Sequence, residues 1–466
     1  MRLNMTTPGN HRRPSGNGAV PLRTIVPVGL VCALAVLLSG CVSATNPPRS
    51  TSDISGSDTA FLALSAALVM LMTPALALFY GGLVRAQNVL SVMMHCFTAL
   101  ALVSLQWWLW GYSLAFSPSW LHIGKFGILG SLNWIGGREV GLTPYPAYST
   151  TVPHQLFMIY QCMFAAITPA LIAGAFAERM KFRAFVLFVL LWSTCVYDPV
   201  AHWVWSENGW LKHLGSLDFA GGTVVHITSG MTALVAALII GPRLGFPRTP
   251  FVPHSVVLTM LGAGLLWFGW FGFNAGSALG ATTVAVVAFV ATHCGAAGGA
   301  LGWLLYDRFM KRQPTALGFA SGAVAGLVAI TPAAGFVGSL SSFLIGAVAG
   351  MVCAIAVSVR VRCKIDDALD AFGVHGVGGT LGALLTGVFA TSQVNPAIGG
   401  NEGIVHGHLK LFLIQCVAIL VTIVYTIGVS YLILKIVDVT VGLRVSEEEE
   451  KSGLDLSQHG ENAYAP

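Results

Sequence analysis

Long stretches without charged side chains dominate this chain. Nine of them contain almost no Asp, Glu, Lys or Arg, and the charged residues cluster in the short segments between them. An α-helix needs roughly 20 mostly apolar residues to cross the hydrocarbon core of a bilayer. Each stretch therefore predicts at least one such helix. The stretches are 61–84, 86–124, 140–177, 184–205 (interrupted by Asp198), 219–243, 249–306, 313–359, 371–401 and 411–434.

The composition excludes the soluble classes of protein. Charged residues make up 9 % of the 466 residues and hydrophobic residues 55 %, whereas a soluble domain carries roughly a quarter charged residues. A soluble fold of this length would lack the charge to cover its surface. A soluble enzyme, a disordered chain and a nucleic-acid-binding protein are therefore excluded, and a membrane protein with several spans is left.

Two of the stretches are long enough for two helices each. The stretch 249–306 breaks at its polar and glycine-containing segment 274–277, and the stretch 313–359 breaks at Thr331 and Pro332. The sequence therefore predicts an all-α membrane protein with eleven transmembrane helices.

The basic residues predict the orientation in the membrane, because Lys and Arg are enriched in cytoplasmic loops. After the leader, alternate loops carry 15 Lys and Arg residues, and the opposite loops hold only Lys125, Arg138, Lys212 and Lys410. The richer side is predicted to be cytoplasmic. With an odd number of spans, the mature N-terminus lies outside and the C-terminus inside.

The first 40 residues are typical of an export signal. Basic residues precede the apolar run 25–38, which is short for a membrane span. The run ends at Leu-Ser-Gly before Cys41, which resembles a bacterial lipoprotein signal, so Cys41 is a candidate for lipidation. Ordinary signal-peptide cleavage nearby is the alternative. Residues 41–57 are then a short outer arm.

The cysteines indicate neither a metal site nor a disulfide framework. None of the nine forms a CxxC pair, and the intramembrane histidines lack the HExxH spacing of a zinc hydrolase. We therefore expect no metal, no other cofactor and no catalytic residue.

Two sequence elements recur in the chain. The AITP motif at 166–169 returns at 329–332, and the segment from Asp218 to His226 is echoed by the segment from Asp370 to His375. The first Asp-to-His element enters the fifth span from outside, and the second enters the tenth from inside. The chain therefore predicts two inverted repeats of five helices plus a final helix, an arrangement that places a transport site at the repeat interface.

Histidines at matching positions of the two repeats are the main functional candidates. His226 and His375 should meet on the pseudo-twofold axis, where two adjacent neutral imidazoles can share a hydrogen bond. Such a pair could bind a small polar solute in an apolar tube. The alternative is two separate packing histidines, which is also what we expect of His95, His202 and His293.

Asp218 and Asp370 each precede glycines at the start of a span. A carboxylate at this position accepts hydrogen bonds from the free N–H groups of the helix N-terminus. We expect helix capping from both, and Asp218 could in addition help to hold a cation near the outer mouth.

Aromatic residues near the outer helix ends form a second set of candidates. Tyr160 and Phe164 share a helix face, Trp205 ends the fourth span, and Trp270, Phe273 and Ser277 lie near the outer end of the sixth. Aromatic rings beside a hydroxyl can bind a small cation through cation–π attraction. An aromatic belt at the membrane interface is the alternative.

From about residue 58 to its end, the chain resembles the ammonium transporter (Amt/Rh) family. The matching motifs are YQxxF at 160–164, GAFAER at 174–179, DFAGGTVVH at 218–226, WFGFNAGS at 270–277 and FGVHGVGG at 372–379. The loop between Trp205 and Asp218 is about one residue longer than the family pattern leads us to expect.

The resemblance implies a homotrimer with one pore in each subunit. It implies cation recruitment by Phe164, Trp205 and Ser277 with Tyr160 adjacent, gating by Phe164 and Phe273, and conduction or proton relay by His226 and His375. The important acidic residue of the pore mouth falls on Asp218. The presence of Trp205 and Ser277 favours the bacterial Amt branch over the Rh branch.

The tail at 438–466 resembles the regulated cytoplasmic tail of the family, after a transporter domain at 58–437. It implies contacts with neighbouring subunits and with a PII-type signal protein. A solvated acidic tail is the alternative, since the tail contains four consecutive glutamates at 447–450.

Together these features predict uptake of ammonium across the bacterial inner membrane, with methylammonium as an analogue. A bare cation in a narrow apolar tube is costly, so we expect the proton to separate from ammonia before NH3 passes the rings. The alternatives are an Rh-like channel for a neutral gas and an ammonium sensor that signals through its tail.

Overall fold

The protein is described by a computed structural model, which covers residues 54–124 and 126–464. The export signal and Cys41 lie outside the described residues, as does most of the predicted outer arm. The described chain is almost entirely helical. Its main helices are α1 (Gly56–Leu83), α2 (Ala86–Phe116), α3 (His154–Phe176), α4 (Phe182–Trp205), α5 (Gly222–Ile240), α6 (Val256–Ala278), α7 (Thr283–Met310), α8 (Ala316–Ile330), α9 (Ser339–Arg362), α10 (Phe372–Phe389) and α11 (Leu409–Val441).

Ten of these helices, within the residues described, are long and apolar enough to cross a membrane. The helix α8 is also apolar but has only 15 residues. The predicted all-α membrane fold is confirmed, and the count of eleven crossings stays a prediction.

The second long stretch is divided at the predicted Thr331 and Pro332, whereas the first is divided just after the predicted segment 274–277, which still belongs to α6. The helix α6 ends at Ala278 and α7 begins at Thr283, while α8 ends at Ile330 and α9 begins at Ser339. The last helix, α11, continues to Val441, beyond the predicted start of the tail at 438.

The two ends of the bundle carry different structures. At one end, which we call the hairpin end, the strands β1 (Ser119–Ile123) and β2 (Phe126–Gly130) pair antiparallel after α2. At the other, the tail end, a short helix (Glu447–Ser452) follows α11. Since α5 begins at the hairpin end and α10 at the tail end, the two histidine-bearing helices enter the bundle from opposite sides.

A buried network of ion pairs joins the two halves at the tail end. Arg243 Nη2 lies 2.8 Å from Asp366 Oδ1, and Arg243 Nη1 lies 3.3 Å from Glu178 Oε2, which also pairs with Arg85. The Phe251 ring lies 3.8 Å from the Arg243 guanidinium carbon. Burial alone would raise the pKa of Asp366, but its hydrogen bonds and charge pairing with Arg243 outweigh this effect and lower it. The charges are therefore stabilised as pairs at one end of the bundle.

Close helix packing in the second half depends on glycine. Where α7 crosses α9, a Cβ atom added at Gly346 would lie 2.0 Å from the carbonyl oxygen of Gly295. Lipid tails are as apolar as the helices, so helices in membranes associate through such close backbone packing. The contact leaves no room for a methyl group.

We predict that Gly346→Ala destabilises the protein by about 1–3 kcal/mol, because the added methyl group forces α7 and α9 apart. Gly264→Ala is the matched control, since a Cβ atom there meets no atom within 4 Å. The thermal unfolding midpoint in detergent measures both. A midpoint for Gly346→Ala at or above that of Gly264→Ala would contradict this account of the packing.

Candidate functional site

Two buried histidines face each other inside the bundle. His226 Nδ1 lies 3.2 Å from His375 Nδ1, and the ring centroids are 5.2 Å apart with the planes inclined by 19°. A hydrogen bond at this distance requires one ring to donate and the other to accept, so at least one imidazole is neutral. The structure therefore brings together the two residues that the internal repeat pairs.

Each histidine lies in a π-helical turn at the start of its helix. The turns are Gly222–Ile227 and Phe372–Gly376, and such turns in α-helices are frequent at functional sites. The two helices approach closely, because a Cβ atom added at Gly230 would lie 2.0 Å from the Gly376 nitrogen. Glycine at this position allows the rings to meet.

A carboxylate holds the start of each of these helices. Asp218 accepts hydrogen bonds from four successive backbone N–H groups, those of residues 221–224, at 2.6–3.2 Å. At the tail end, Asp367 accepts from the N–H groups of Ala371 and Phe372 at 3.1 and 2.8 Å. Each of the two carboxylates lies eight residues before the histidine of its helix.

The prediction that Asp370 caps the second helix is therefore wrong. Asp370 instead pairs with Arg360 and has a positive φ of 62°. The cap is Asp367, whose separation from His375 equals that of Asp218 from His226. The sequence DAFG at 370–373 resembles DFAG at 218–221, and this likeness favours Asp370. The equal spacing to the histidine is the signal that identifies Asp367.

An aromatic cavity of about 130 Å³ lies at the hairpin end. Phe164, Trp205 and Ser277 line it, as the sequence predicts for a cation site. The centroids of the Phe164 and Trp205 rings are 5.9 Å apart and nearly perpendicular. The Trp205 indole is held in place because its Nε1 donates to the Asp218 carbonyl oxygen at 3.0 Å.

Tyr160 and Asp218 support this cavity from outside its lining. The hydroxyl of Tyr160 lies 3.2 Å from Ser277 Oγ and 2.9 Å from the Phe273 carbonyl oxygen, and the residue is fully buried. The Asp218 carboxylate is occupied by the helix N-terminus. Both residues therefore position the wall, and neither is among the residues that line the cavity.

Sequence reasoning missed two polar residues in the cavity lining, Gln161 and Lys212. Gln161 is 9 % exposed, and its Oε1 has no hydrogen-bond partner among the described residues. An acceptor left unpaired in a buried site is costly unless a ligand or water binds it. The position of Gln161 between Tyr160 and Phe164 in the YQxxF motif could have identified it as a residue of the site.

Two phenylalanines in contact, with their ring planes inclined by 38°, separate this cavity from the histidines. The ring centroids of Phe164 and Phe273 are 4.3 Å apart, and both residues are 1 % exposed. Phe164 lines the hairpin-end cavity, whereas Phe273 lines the cavity on the other side. The rings therefore close the route between the two cavities in this structure.

A larger cavity of about 520 Å³ extends from the Phe273 ring to the tail end. His226, His375 and Trp270 line it together with residues of the 243–253 loop. Trp270 is fixed by a hydrogen bond from Nε1 to Thr331 Oγ1 at 2.9 Å, and its ring lies 5.5 Å from that of His226. The histidine pair therefore lines the cavity that extends from the Phe273 ring to the tail end.

The other intramembrane polar residues pack elsewhere. His202 binds the Ala115 carbonyl oxygen and Ser119, His95 packs against Phe185, and Asp198 accepts from Gln106. None of the three histidines without a repeat counterpart, His95, His202 and His293, lines either of these two cavities.

The same chain matches the model of the Ammonium Transporter Family over residues 60–464. The protein belongs to the ammonium transporter family. It is 52 % identical to an ammonium transporter of Bacillus subtilis over 408 residues, covering 87 % of this chain and 98 % of that one.

Solved structures agree with this family assignment. The crystal structure of Saccharomyces cerevisiae Mep2 matches with a TM-score of 0.81 and 40 % identity, covering 89 % of this chain and 94 % of that one. A structure described as a sensor Amt protein matches with a TM-score of 0.79 and 28 % identity, covering 86 % of this chain and 98 % of that one. As a member of this family, the chain is a multi-pass membrane protein and not an enzyme.

The two acidic residues near His375 give a matched test of the capping assignment. Asp367→Asn places an NH2 group against one of the two N–H donors, so we predict a destabilisation of about 1–3 kcal/mol. Asp370→Asn removes only a partly exposed ion pair and tolerates the positive φ, so its cost should stay below about 1 kcal/mol. Thermal midpoints in detergent rank the two variants, and a lower midpoint for Asp370→Asn would restore the original assignment.

Proposed function

We propose that this protein takes up ammonium across the bacterial inner membrane. The cation binds in the hairpin-end cavity, loses its proton, and ammonia passes the Phe164–Phe273 gate and the His226–His375 pair. The observation that carries the proposal is the imidazole pair, with its 3.2 Å Nδ1–Nδ1 contact, in the cavity that begins at the Phe164–Phe273 contact. The family membership and the ammonium transporter names of the relatives supply the substrate.

The hairpin-end cavity has the chemistry of a site for a small cation. Aromatic faces attract a cation by about 1–2 kcal/mol when water is excluded, and Phe164 and Trp205 supply such faces. Ser277 Oγ and the unpaired Gln161 Oε1 supply acceptors for N–H groups. A cavity of about 130 Å³ suits an ion of this size.

The gate and the histidine pair suit the neutral molecule. Moving a bare monovalent ion into an apolar environment costs far more than the cation–π attraction provides. Ammonia carries no charge and can both donate and accept hydrogen bonds with neutral imidazoles. His226 Nε2 is buried without a partner among the described residues, so it is free to bind such a solute.

The remaining parts of the proposal concern topology and assembly. We infer eleven crossings with α8 as the eighth, the hairpin end outside, the tail end in the cytoplasm and a homotrimer with one pore in each subunit. The alternation of basic loops supports the orientation. Trp205 and Ser277 in one cavity favour this reading over an Rh-like channel for a neutral gas.

We predict that His226→Leu combined with His375→Leu lowers the initial rate of methylammonium uptake into proteoliposomes about tenfold or more. The physical reason is that the lost hydrogen bonds to the passing solute are each worth about 1 kcal/mol or more. His293→Leu is the control, because His293 packs against Trp267 and lines neither of the two cavities. Unchanged uptake and selectivity in the double variant would refute the assigned conduction path.

The tail packs onto the loops of the tail end. Glu450 is 1 % exposed and accepts from the Leu244 N–H and from Arg444, both at 2.7 Å. Asp455 accepts from the Ser91 N–H at 2.8 Å. Leu244 belongs to the 243–253 loop, several residues of which line the larger cavity. We therefore propose that the docked tail controls whether this cavity is open to the cytoplasm. A PII-type protein would act on the tail from the cytoplasm.

We predict that Glu450→Ala slows uptake by a factor of about two to ten, because it removes the acceptor of the half-buried Leu244 N–H and leaves Arg444 with its hydrogen bond to the Ile240 carbonyl oxygen but without its carboxylate partner. Glu447→Ala is the matched control, since Glu447 makes only an exposed ion pair with Lys451. Uptake rates in proteoliposomes compare the two. Uptake rates equal to that of the parent in both variants would contradict a role of the docked tail in transport. Deletion of 443–466 that abolishes signalling but leaves uptake unchanged would then support the sensor alternative.

A further inference from the structure

The hairpin-end cavity contains one charged side chain among its described lining residues, Lys212. Lys212 lies on the short helix Trp210–Leu214 within the loop between Trp205 and Asp218. Its Nζ donates to the Trp205 carbonyl oxygen at 3.2 Å. Lys212 is exposed, but its ammonium group is bonded to the backbone of a residue whose indole forms part of the aromatic wall, beside a site that the proposed function assigns to a free ammonium ion.

No carboxylate in the cavity lining compensates this charge. Asp218 is occupied by four backbone N–H groups and does not line the cavity. Glu207 acts on Lys212 electrostatically, but the two form no ion pair among the described residues. The positive charge therefore remains beside a site whose other groups are aromatic, apolar or neutral polar.

We propose that Lys212 determines the affinity of the hairpin-end cavity for ammonium. This inference rests on the proposed function. Two positive charges at the same small cavity repel each other, and water and salt screen this repulsion only in part at such short range. Lys212 thus keeps the site weaker than its aromatic groups alone would make it.

The hydrogen bond to Trp205 offers a second, purely structural role for the same residue. Arginine distinguishes the two roles, because it keeps both the charge and a donor, while methionine keeps the aliphatic stem and removes both. Glutamate reverses the charge. If the charge matters, the affinity for ammonium follows the charge of the side chain in the three variants. If only packing matters, all three variants differ from the parent regardless of their charge.

The test uses the full chain in proteoliposomes, with the half-saturating ammonium concentration measured by currents on solid-supported membranes. We expect Lys212→Met to lower this concentration about three- to tenfold and Lys212→Glu to lower it further, with Lys212→Arg within about twofold of the parent. The differences should shrink in about 0.5 M salt, where charges are screened within a few Å. Lys410→Met is the matched control, since Lys410 is exposed at the start of α11 and does not line the cavity.

An unchanged half-saturating concentration in Lys212→Met, or an equal change in Lys212→Arg and Lys212→Met, would overturn the inference. An equal change in Lys410→Met would also overturn it, because the effect would then come from general surface charge. Failure of the proposed function has a different signature: the parent protein itself would give no saturable ammonium-dependent signal.

Discussion

The cost of placing a charge in an apolar pore organises this protein. Cation–π attraction of about 1–2 kcal/mol holds an ion in an aromatic cavity, but it is far too weak to carry that ion through hydrocarbon-like surroundings. The proposed function assigns the two tasks to different places. The cavity of Phe164, Trp205 and Ser277 lies on one side of the Phe164–Phe273 contact, and the histidine pair lies on the other.

The same constraint explains where the charges are found. The buried pairs of Arg243 with Asp366 and Glu178 lie at the tail end, where Arg243 lines the far part of the larger cavity. Asp218 and Asp367 are buried near the path, but both are occupied by backbone N–H groups at helix starts. They act by fixing the helices that carry His226 and His375.

The sequence predicts the local features well and the contacts between distant segments less well. Spacing of charges locates the helices, and the breaks at 279–282 and 331–338 lie at or next to polar, glycine and proline residues. The internal repeat is sufficient to pair His226 with His375. Letter similarity favours Asp370 as the second cap, whereas the eight-residue spacing belongs to Asp367. The place of Lys212 in the cavity lining depends on how the loop after Trp205 folds, and that of Gln161 on which face of α3 the cavity meets.

The most direct test of the central claim is selectivity, measured as uptake and charge movement in proteoliposomes of the full chain. The account predicts saturable uptake of ammonium and no transport of potassium. Potassium can bind to the aromatic rings, but it has no proton to lose and therefore cannot follow the path of the neutral molecule. Potassium transport at a rate comparable to that of ammonium would show that the intact ion crosses the gate, and would contradict the account.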